Sequence, residues 1–155
     1  MEIAVILANI RSAHNVGSIF RTADAAGISR LFLLGYTPRP VDRFGRADKA
    51  LAKTALGAEH SVPWAYVRDP AKLITSLKAD GWRIVGVEQD ERSTDYRTLK
   101  RGKKIALMFG NEVRGLSPHL RSLCDELIEI PMSGTKESLN VSVCAGITLF
   151  SLRDR

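Results

Sequence analysis

The chain has 155 residues, 45% of them hydrophobic, and its 23 basic residues outnumber its 17 acidic ones, which gives a net charge of +6. These values fit one globular domain. The positive charge favours a polyanionic partner such as a nucleic acid, or serves solubility alone. The lack of an ~18-residue apolar run or a basic signal segment argues against a membrane or secreted protein, so we expect a cytoplasmic one. Two cysteines without a CxxC pair and three scattered histidines argue against a disulfide framework or a metal site.

Strand and helix patterns alternate through the first half of the chain, with Asn, Gly and Pro at their boundaries. The predicted elements are a strand at Ile3–Ala8, a helix at Val16–Ala26 capped by Asn15 and closed by Gly27, a strand at Leu31–Leu34, a helix at Ala47–Leu56, a strand at Ser61–Val67 and a helix at Pro70–Ala79. Pro63 predicts that the third strand lies at a sheet edge, because proline lacks the amide donor that a central strand needs.

The second half continues the alternation and ends in an unusually apolar helix. Its predicted elements are strands at Arg83–Val87, Ile105–Phe109 and Leu127–Ile130, a short helix opened by Ser117 and Pro118, and a helix at Ser138–Leu152. This order predicts a single α/β domain over residues 1–155, with a mostly parallel sheet covered by helices on both faces. The last helix is apolar nearly all round, which indicates burial either in the core of one protomer or against a second subunit.

Three polar segments, residues 9–21, 109–117 and 130–140, follow predicted strands at the edge where parallel sheets bind ligands. Arg21 can grip a phosphate or carboxylate, or be a solvated surface arginine. Glu112 can pair with an arginine, or act only as a helix-terminal charge. Neither G-x-G-x-x-G nor G-x-x-x-x-G-K-[ST] occurs, which argues against a dinucleotide fingerprint and a P-loop.

Together the segments resemble the SpoU (TrmH-like) RNA 2′-O-ribose methyltransferases of the SPOUT superfamily. The matching motifs are Asn15-Val-Gly-Ser-Ile-Phe-Arg21-Thr-Ala, Met108-Phe-Gly-Asn-Glu112-Val-Arg-Gly-Leu-Ser117, Ile130-Pro-Met132 and Ser138-Leu-Asn140-Val-Ser-Val. One such motif is weak evidence, whereas ordered motifs over nearly the whole chain are specific.

The resemblance implies a C-terminal trefoil knot, in which roughly residues 105–140 thread through a loop of the same chain. Periodicity alone does not predict this topology. The resemblance also implies a homodimer through the knot region and the last helix, with S-adenosylmethionine bound in the knot. The cofactor-binding positions carried over from the family are Phe109, Gly110, Ile130, Met132, Ser138, Leu139 and Asn140. Apolar side chains with free amides suit adenine, and a site without a cation cluster suits a cofactor without phosphates.

The catalytic positions carried over in the same way are Arg21, Asn15, Glu112, Ser138 and Asn140. A ribose hydroxyl must lose its proton while it is aligned with the donor methyl group. The resemblance implies that Arg21 faces the target ribose. Either Arg21 loses its own proton and acts as the base, which the high pKa of arginine opposes, or it orients a phosphate that takes the proton from the hydroxyl. Asn15 and Asn140 are expected to orient Arg21 and the ribose, Ser138 to position the acceptor and Glu112 to fix nearby cations.

Many relatives carry a further RNA-recognition domain, which these motifs do not include, so we expect the catalytic domain, its dimer partner or its basic loops to select the RNA. The candidate contacts to tRNA or rRNA, expected on one face of the dimer, are Arg39, Arg43, Arg46, Lys100, Arg101, Lys103 and Lys104. Each of them alone is also compatible with a solvated charge. Two other functions stay open, a non-catalytic RNA-binding or assembly factor with the same fold and a knotted enzyme that methylates a base.

Overall fold

Seven strands and six helices make up the computed structural model, which describes residues 1–153. The strands are β1 Glu2–Ala8, β2 Arg30–Leu34, β3 Trp64–Val67, β4 Arg83–Val87, β5 Thr94–Asp95, β6 Lys104–Phe109 and β7 Glu126–Glu129. The helices are α1 Ala13–Ala25, α2 Lys49–Ala55, α3 Ala58–Ser61, α4 Pro70–Ala79, α5 Pro118–Leu123 and α6 Val141–Arg153. The predicted alternation is confirmed, and β5 and α3 are additions that the sequence pattern did not indicate. None of these described helices combines the length and the apolar character that crossing a bilayer requires.

The sheet has the strand order β3-β2-β1-β6-β4-β7-β5, and every pairing is parallel. Strand β3 lies at an edge, as Pro63 predicts. The central strands β1 and β6 pair in register from Glu2 with Lys104 to Leu7 with Phe109. The segments that follow β1, β6, β4 and β7 therefore start from one edge of the sheet, where parallel sheets bind ligands. This order is consistent with the threaded C-terminal segment that the resemblance implies.

Side chains of β1 alternate between two cores on opposite faces of the sheet. Ile3, Val5 and Leu7 are completely buried against α1, α2 and α6. Ala4 and Ile6 are equally buried, on the face covered by α4 and α5. The strand is apolar at both alternating positions because both faces are removed from water, which confirms the prediction of helices on both faces.

Helix α1 begins three residues earlier than predicted, at Ala13 rather than Val16. Its N-cap is Ser12, whose hydroxyl oxygen accepts the amide of Asn15 at 3.2 Å. Asn15 lies in the first turn, so the prediction that it caps the helix is wrong, and its side chain is available for other contacts. Helix α2, in contrast, begins at Lys49, two residues later than the predicted start at Ala47, because Asp48 caps it.

Helix α6 begins at Val141, so the predicted start at Ser138 is wrong. The side-chain oxygen of Asn140 accepts the Ser142 amide at 2.8 Å, as an N-cap does. Residues 138–140 therefore lie outside the helix, in the segment that connects it to β7. Their backbone and side chains are available at the carboxyl edge of the sheet.

Candidate active site

A cavity of about 430 Å³ opens at the carboxyl ends of β4, β6 and β7. Its walls come from residues 87–89, from residues 109–115, from parts of 129–144 and from Asn15. All the positions that the resemblance assigns to the cofactor lie on it, namely Phe109, Gly110, Ile130, Met132, Ser138, Leu139 and Asn140. The four carried-over catalytic positions that it also contains are Asn15, Glu112, Ser138 and Asn140.

The wall formed by residues 109–115 turns back on itself at two glycines. Asn111 and Gly115 form an antiparallel bridge, and the Gly115 amide donates to the Asn111 carbonyl at 2.8 Å. Gly115 has a φ of +66°, in the left-handed region that favours glycine. A Cβ at Gly110 would overlap the backbone of Gly115 and Leu116. The turn can therefore close only without side chains at both positions.

Glu88, which directly follows β4, fastens this turn to the neighbouring strand. One carboxylate oxygen accepts the Leu116 amide at 2.6 Å, and the other accepts the Gln89 amide at 2.9 Å. The Ser93 hydroxyl donates to the Glu88 carbonyl at 2.6 Å. Glu88 lines the cavity, but sequence reasoning missed it. The available signal was a carboxylate placed directly at the end of a predicted strand.

Glu112 is the anion at the start of α1. Its carboxylate accepts the amides of Arg11 at 2.9 Å and Ser12 at 3.0 Å, and the side-chain amide of Asn15 at 3.1 Å. Burial by itself would raise the pKa of Glu112, but these hydrogen bonds outweigh it and hold that pKa below its usual value. Among the described residues Glu112 makes no ion pair with an arginine, and its contacts are those of a charge that stabilises a helix terminus.

A chain of side-chain amides connects Glu112 to the start of α6. Asn15 donates to Glu112 and accepts from the side-chain amide of Asn140 at 3.1 Å. The side-chain oxygen of Asn140 accepts hydrogen bonds from both the backbone amide and the hydroxyl of Ser142. Ser138 lies close by on the cavity wall and is exposed. The structure therefore brings four of the five carried-over catalytic residues together.

Arg21 is the residue that the structure does not bring to this cavity. It is exposed on α1, about 9 Å further along the helix axis than Asn15. Its side chain makes no hydrogen bond or ion pair with any described residue. Within one protomer Asn15 and Asn140 therefore bond to each other and do not orient Arg21. The methyl group of the adjacent Thr22 lies 3.9 Å from where a Cβ of Gly146 would be, so the turn of α1 that carries Arg21 packs against α6.

The basic residues expected to contact RNA form two separate groups. The loop that leaves the carboxyl end of β2 carries Arg39, Arg43 and Arg46. The segment that enters the amino end of β6 carries Lys100, Arg101, Lys103 and Lys104. Because all strands are parallel, one protomer places these groups at opposite edges of the sheet and does not gather them on one face. Lys104 also donates to the Asp80 carbonyl at 3.2 Å, and Arg101 to the Arg153 carbonyl at 3.0 Å.

The first basic group is interleaved with aromatic rings, which sequence reasoning missed. The guanidinium carbons of Arg43 and Arg46 lie 4.8 and 5.0 Å from the centre of the Phe44 ring, which is 66% exposed. Arg39 lies 4.2 Å above the ring of Tyr66. Exposed rings beside guanidinium groups are typical of surfaces that bind single-stranded nucleic acid.

The family comparison covers almost the whole chain. The SpoU rRNA Methylase family matches residues 2–150. A Staphylococcus saprophyticus protein named for the TrmH family of tRNA/rRNA methyltransferases is 36% identical over 152 residues, which are 98% of this chain and 58% of that protein. The chain thus spans little more than half the length of this relative.

Solved structures agree with this match. The AdoMet-bound rRNA methyltransferase from Sinorhizobium meliloti has a TM-score of 0.89 at 33% identity, with 99% of this chain and 56% of that chain covered. The A. aeolicus TrmH/SpoU tRNA modifying enzyme has a TM-score of 0.86 at 29% identity, with 99% and 74% covered. The predicted fold class is confirmed by these similarities.

Proposed function

This chain belongs to the SpoU rRNA Methylase family, and we propose that it transfers a methyl group from S-adenosylmethionine to a ribose 2′-hydroxyl of a structured RNA. A tRNA or an rRNA is the proposed substrate, and the cytoplasm is the proposed location of the reaction. The observation that carries the proposal is the single cavity on which all the carried-over cofactor positions and four catalytic positions meet.

The cavity suits this donor in both its apolar surface and its charge. The carried-over positions that we propose to hold it contribute apolar side chains at Phe109, Ile130, Met132 and Leu139, beside the bare backbone of Gly110. The acidic and basic residues on the described wall are Glu88, Glu112, Glu129, Glu137 and Arg114. With four carboxylates and one guanidinium, the wall favours binding of a cation and disfavours binding of phosphate groups. When bound, S-adenosylmethionine supplies a methyl group on a positively charged sulfur that is already a good leaving group.

The protein must then make the hydroxyl a better nucleophile. The side chain of Arg21 has no partner among the described residues, so its five donors are available to a substrate. Because arginine stays protonated at neutral pH, we propose that Arg21 grips the phosphate beside the target ribose, and that a phosphate oxygen takes the hydroxyl proton. Asn15, Asn140 and Glu112 keep the facing wall rigid, and Ser138 positions the acceptor.

Arg21 does not line the cavity of its own protomer, and in this scheme it serves the cavity of a second copy of the chain. Helix α6 leaves an apolar stripe uncovered, formed by Val143 at 48% and Phe150 at 41% exposure, and Leu139, two residues before the helix, is 39% exposed. Val143 and Phe150 are seven residues apart and lie on one face of the helix, and Arg21 is carried by the turn of α1 that packs against the same helix. We propose that this stripe packs against a second copy and that Arg21 of one protomer serves the cavity of the other.

The decisive measurement is the position of the transferred methyl group. Methyl-labelled S-adenosylmethionine is incubated with the protein and with tRNA or rRNA from a strain that lacks it, and the RNA is hydrolysed in alkali. A 2′-O-methyl group blocks alkaline cleavage, so the label is expected in alkali-stable dinucleotides. Label in mononucleotides would favour base methylation instead. No label in either RNA, with donor binding verified by calorimetry, would favour a non-catalytic RNA-binding factor.

A matched pair of variants tests the role of Arg21. Arg21→Ala is expected to abolish methyl transfer and to leave donor binding unchanged. Arg30→Ala, which removes another exposed arginine, at the amino edge of the sheet, is expected to retain activity. Retained activity in Arg21→Ala would remove this residue from the proposed mechanism.

A further inference from the structure

A second groove of about 890 Å³ lies beside the cavity. The loop formed by residues 111–114 separates the two, with one side lining the cavity and the other side lining the groove. The opposite wall of the groove is made by Arg11, Ser12 and Tyr36, which follow the carboxyl ends of β1 and β2. The groove is large enough for one or two nucleotides and adjoins the place where the methyl group is proposed to be held.

Asn111 fixes the two walls of this groove relative to each other. Its side-chain oxygen accepts the amides of Val113 and Arg114, each at 2.9 Å. Its side-chain nitrogen donates to the Asn9 carbonyl and to the Tyr36 hydroxyl, each at 3.0 Å. One amide group therefore ties the ends of β1, β2 and β6 together and holds the Tyr36 ring at a set position.

Backbone strain at the same place supports a built site. Asn9 has a φ of 57°, which is uncommon for a residue with a side chain. In this conformation its side-chain oxygen accepts the Tyr36 amide at 3.3 Å. Gly35, with a φ of +63°, lets the two segments meet, because a Cβ there would overlap the Asn9 side chain. Strained backbone of this kind is concentrated at functional sites.

The groove presents a ring and two cations to solvent. Tyr36 is 61% exposed although its hydroxyl and amide are both bonded. Arg11 and Arg114 are exposed, and neither makes an ion pair among the described residues. The one carboxylate of the groove belongs to Glu112 and is already engaged by two backbone amides and Asn15. An incoming anion therefore meets two guanidinium groups with no carboxylate competing for them.

We propose that this groove holds the unpaired RNA nucleotide that accepts the methyl group, with its base stacked on Tyr36 and phosphates of neighbouring nucleotides bound by Arg11 and Arg114. The inference rests on the proposed function and adds the location of the substrate. A base can stack on the Tyr36 ring only if its own face is free, and both faces of a base inside a duplex are covered by its neighbours. The proposed acceptor therefore lies in a loop, a bulge or an end of the RNA.

Steady-state kinetics on wild type and variants separates this groove from the donor cavity. Tyr36→Ala and Arg11→Ala change residues that line the groove but not the donor cavity. Each is expected to raise the KM for RNA about tenfold or more, because base stacking or a phosphate contact is lost. The Kd for S-adenosylmethionine is expected to stay within about twofold of the wild-type value. Tyr36→Phe keeps the ring and is expected to recover most of the lost affinity, and Arg30→Ala serves as the arginine control.

Photo-crosslinking on the wild-type protein tests the location directly. Bulk tRNA and rRNA containing 4-thiouridine are irradiated with the protein, and the crosslinked peptides are identified by mass spectrometry. Crosslinks at Tyr36 or in residues 111–114 are expected. If wild type methylates RNA while the variants keep its KM, or if the crosslinks fall elsewhere, the groove assignment is wrong and the proposed function stands. If wild type transfers no methyl group to any RNA, the proposed function itself fails.

Discussion

The side-chain amide of Asn140 donates a hydrogen bond to the side-chain oxygen of Asn15 at 3.1 Å, across 125 positions of the sequence. This contact joins the residue before α6 to the first turn of α1. Because Asn15 also donates to Glu112, three segments of the cavity wall share one chain of hydrogen bonds. The wall is therefore stabilised by hydrogen bonds that form only when the two ends of the chain come together.

Replacement of Asn15 by aspartate should make stability depend on pH. Asn15→Asp keeps the acceptor for Asn140 but places a second carboxylate about 3 Å from that of Glu112, and this repulsion raises the pKa of the introduced acid. The variant should therefore lose about 1–3 kcal/mol of unfolding free energy near pH 8. This loss should shrink toward pH 4, where one of the two carboxyl groups is protonated. Thermal unfolding at both pH values measures it. Asn15→Ala should show a deficit nearly independent of pH, and an equal deficit for Asn15→Asp at both values would contradict the prediction.

Glu112→Gln tests the carboxylate at the start of α1. The pKa of Glu112 is lowered in the folded state, so its stabilisation is present above the usual carboxyl value near 4.5 and is lost as the pH falls through the lower folded pKa. The variant should lose about 2 kcal/mol at pH 7, since hydrogen bonds from two amides to a charge are replaced by weaker or repulsive ones. Denaturant unfolding from pH 7 to pH 3 should show the two proteins converging. Glu91→Gln, at an exposed glutamate, should change little at any pH.

The fold and most of the cavity wall follow from local sequence signals. Apolar runs at β1 and β6 need burial on both faces, and the segments after them must emerge at one edge of a parallel sheet. The motifs beginning at Met108 and Ile130 therefore meet, as the resemblance implied. Gly110 directly follows β6, as predicted, but the missing Cβ makes room for the backbone of Gly115 and Leu116, and its role toward the donor stays a prediction.

What the sequence could not predict depends on contacts between distant residues. Asn15 is a good capping residue, but Ser12 lies one turn earlier and takes that role, which frees Asn15 for Glu112 and Asn140. Ser138 reads as helical because an apolar stretch follows it, yet Asn140 caps α6 after it. Glu88 carries no motif of its own, and its function becomes visible only when the Leu116 amide lies 2.6 Å away.

A single methyl group at Gly110 should damage both stability and donor binding. Gly110→Ala would push its Cβ into the backbone of Gly115 and Leu116, so the turn must shift. We expect a loss of about 1–3 kcal/mol, measured by denaturant unfolding, and at least about tenfold weaker binding of S-adenosylmethionine, measured by calorimetry. Gly134→Ala is the matched control, because no atom lies within 4 Å of the corresponding Cβ. Wild-type affinity in Gly110→Ala would show that the turn does not shape the donor site.

Labelling of Cys144 should report on occupancy of the cavity, with Cys124 as the internal control. Burial raises the pKa of Cys144, which lies on the cavity wall, and raises that of Cys124, which lies outside it, to about 11. Both thiols should therefore react slowly with iodoacetamide at pH 7.5 and faster as the pH rises. S-adenosylmethionine is expected to slow the labelling of Cys144 several-fold and to leave Cys124 unchanged, as followed by peptide mass spectrometry. Equal protection of both thiols would indicate a general change in stability instead.

Mixed dimers test whether Arg21 of one protomer serves the cavity of its partner. Arg21→Ala should unfold within about 0.5 kcal/mol of wild type, because the side chain is exposed and has no partner among the described residues. When Arg21→Ala is co-expressed with Gly110→Val under separate affinity tags, neither homodimer should be active. Each mixed dimer should contain one complete site, which combines the intact cavity of the first chain with Arg21 of the second. Random pairing then gives about one quarter of wild-type activity. Inactive mixed dimers, purified through both tags, would show that Arg21 does not act across the interface.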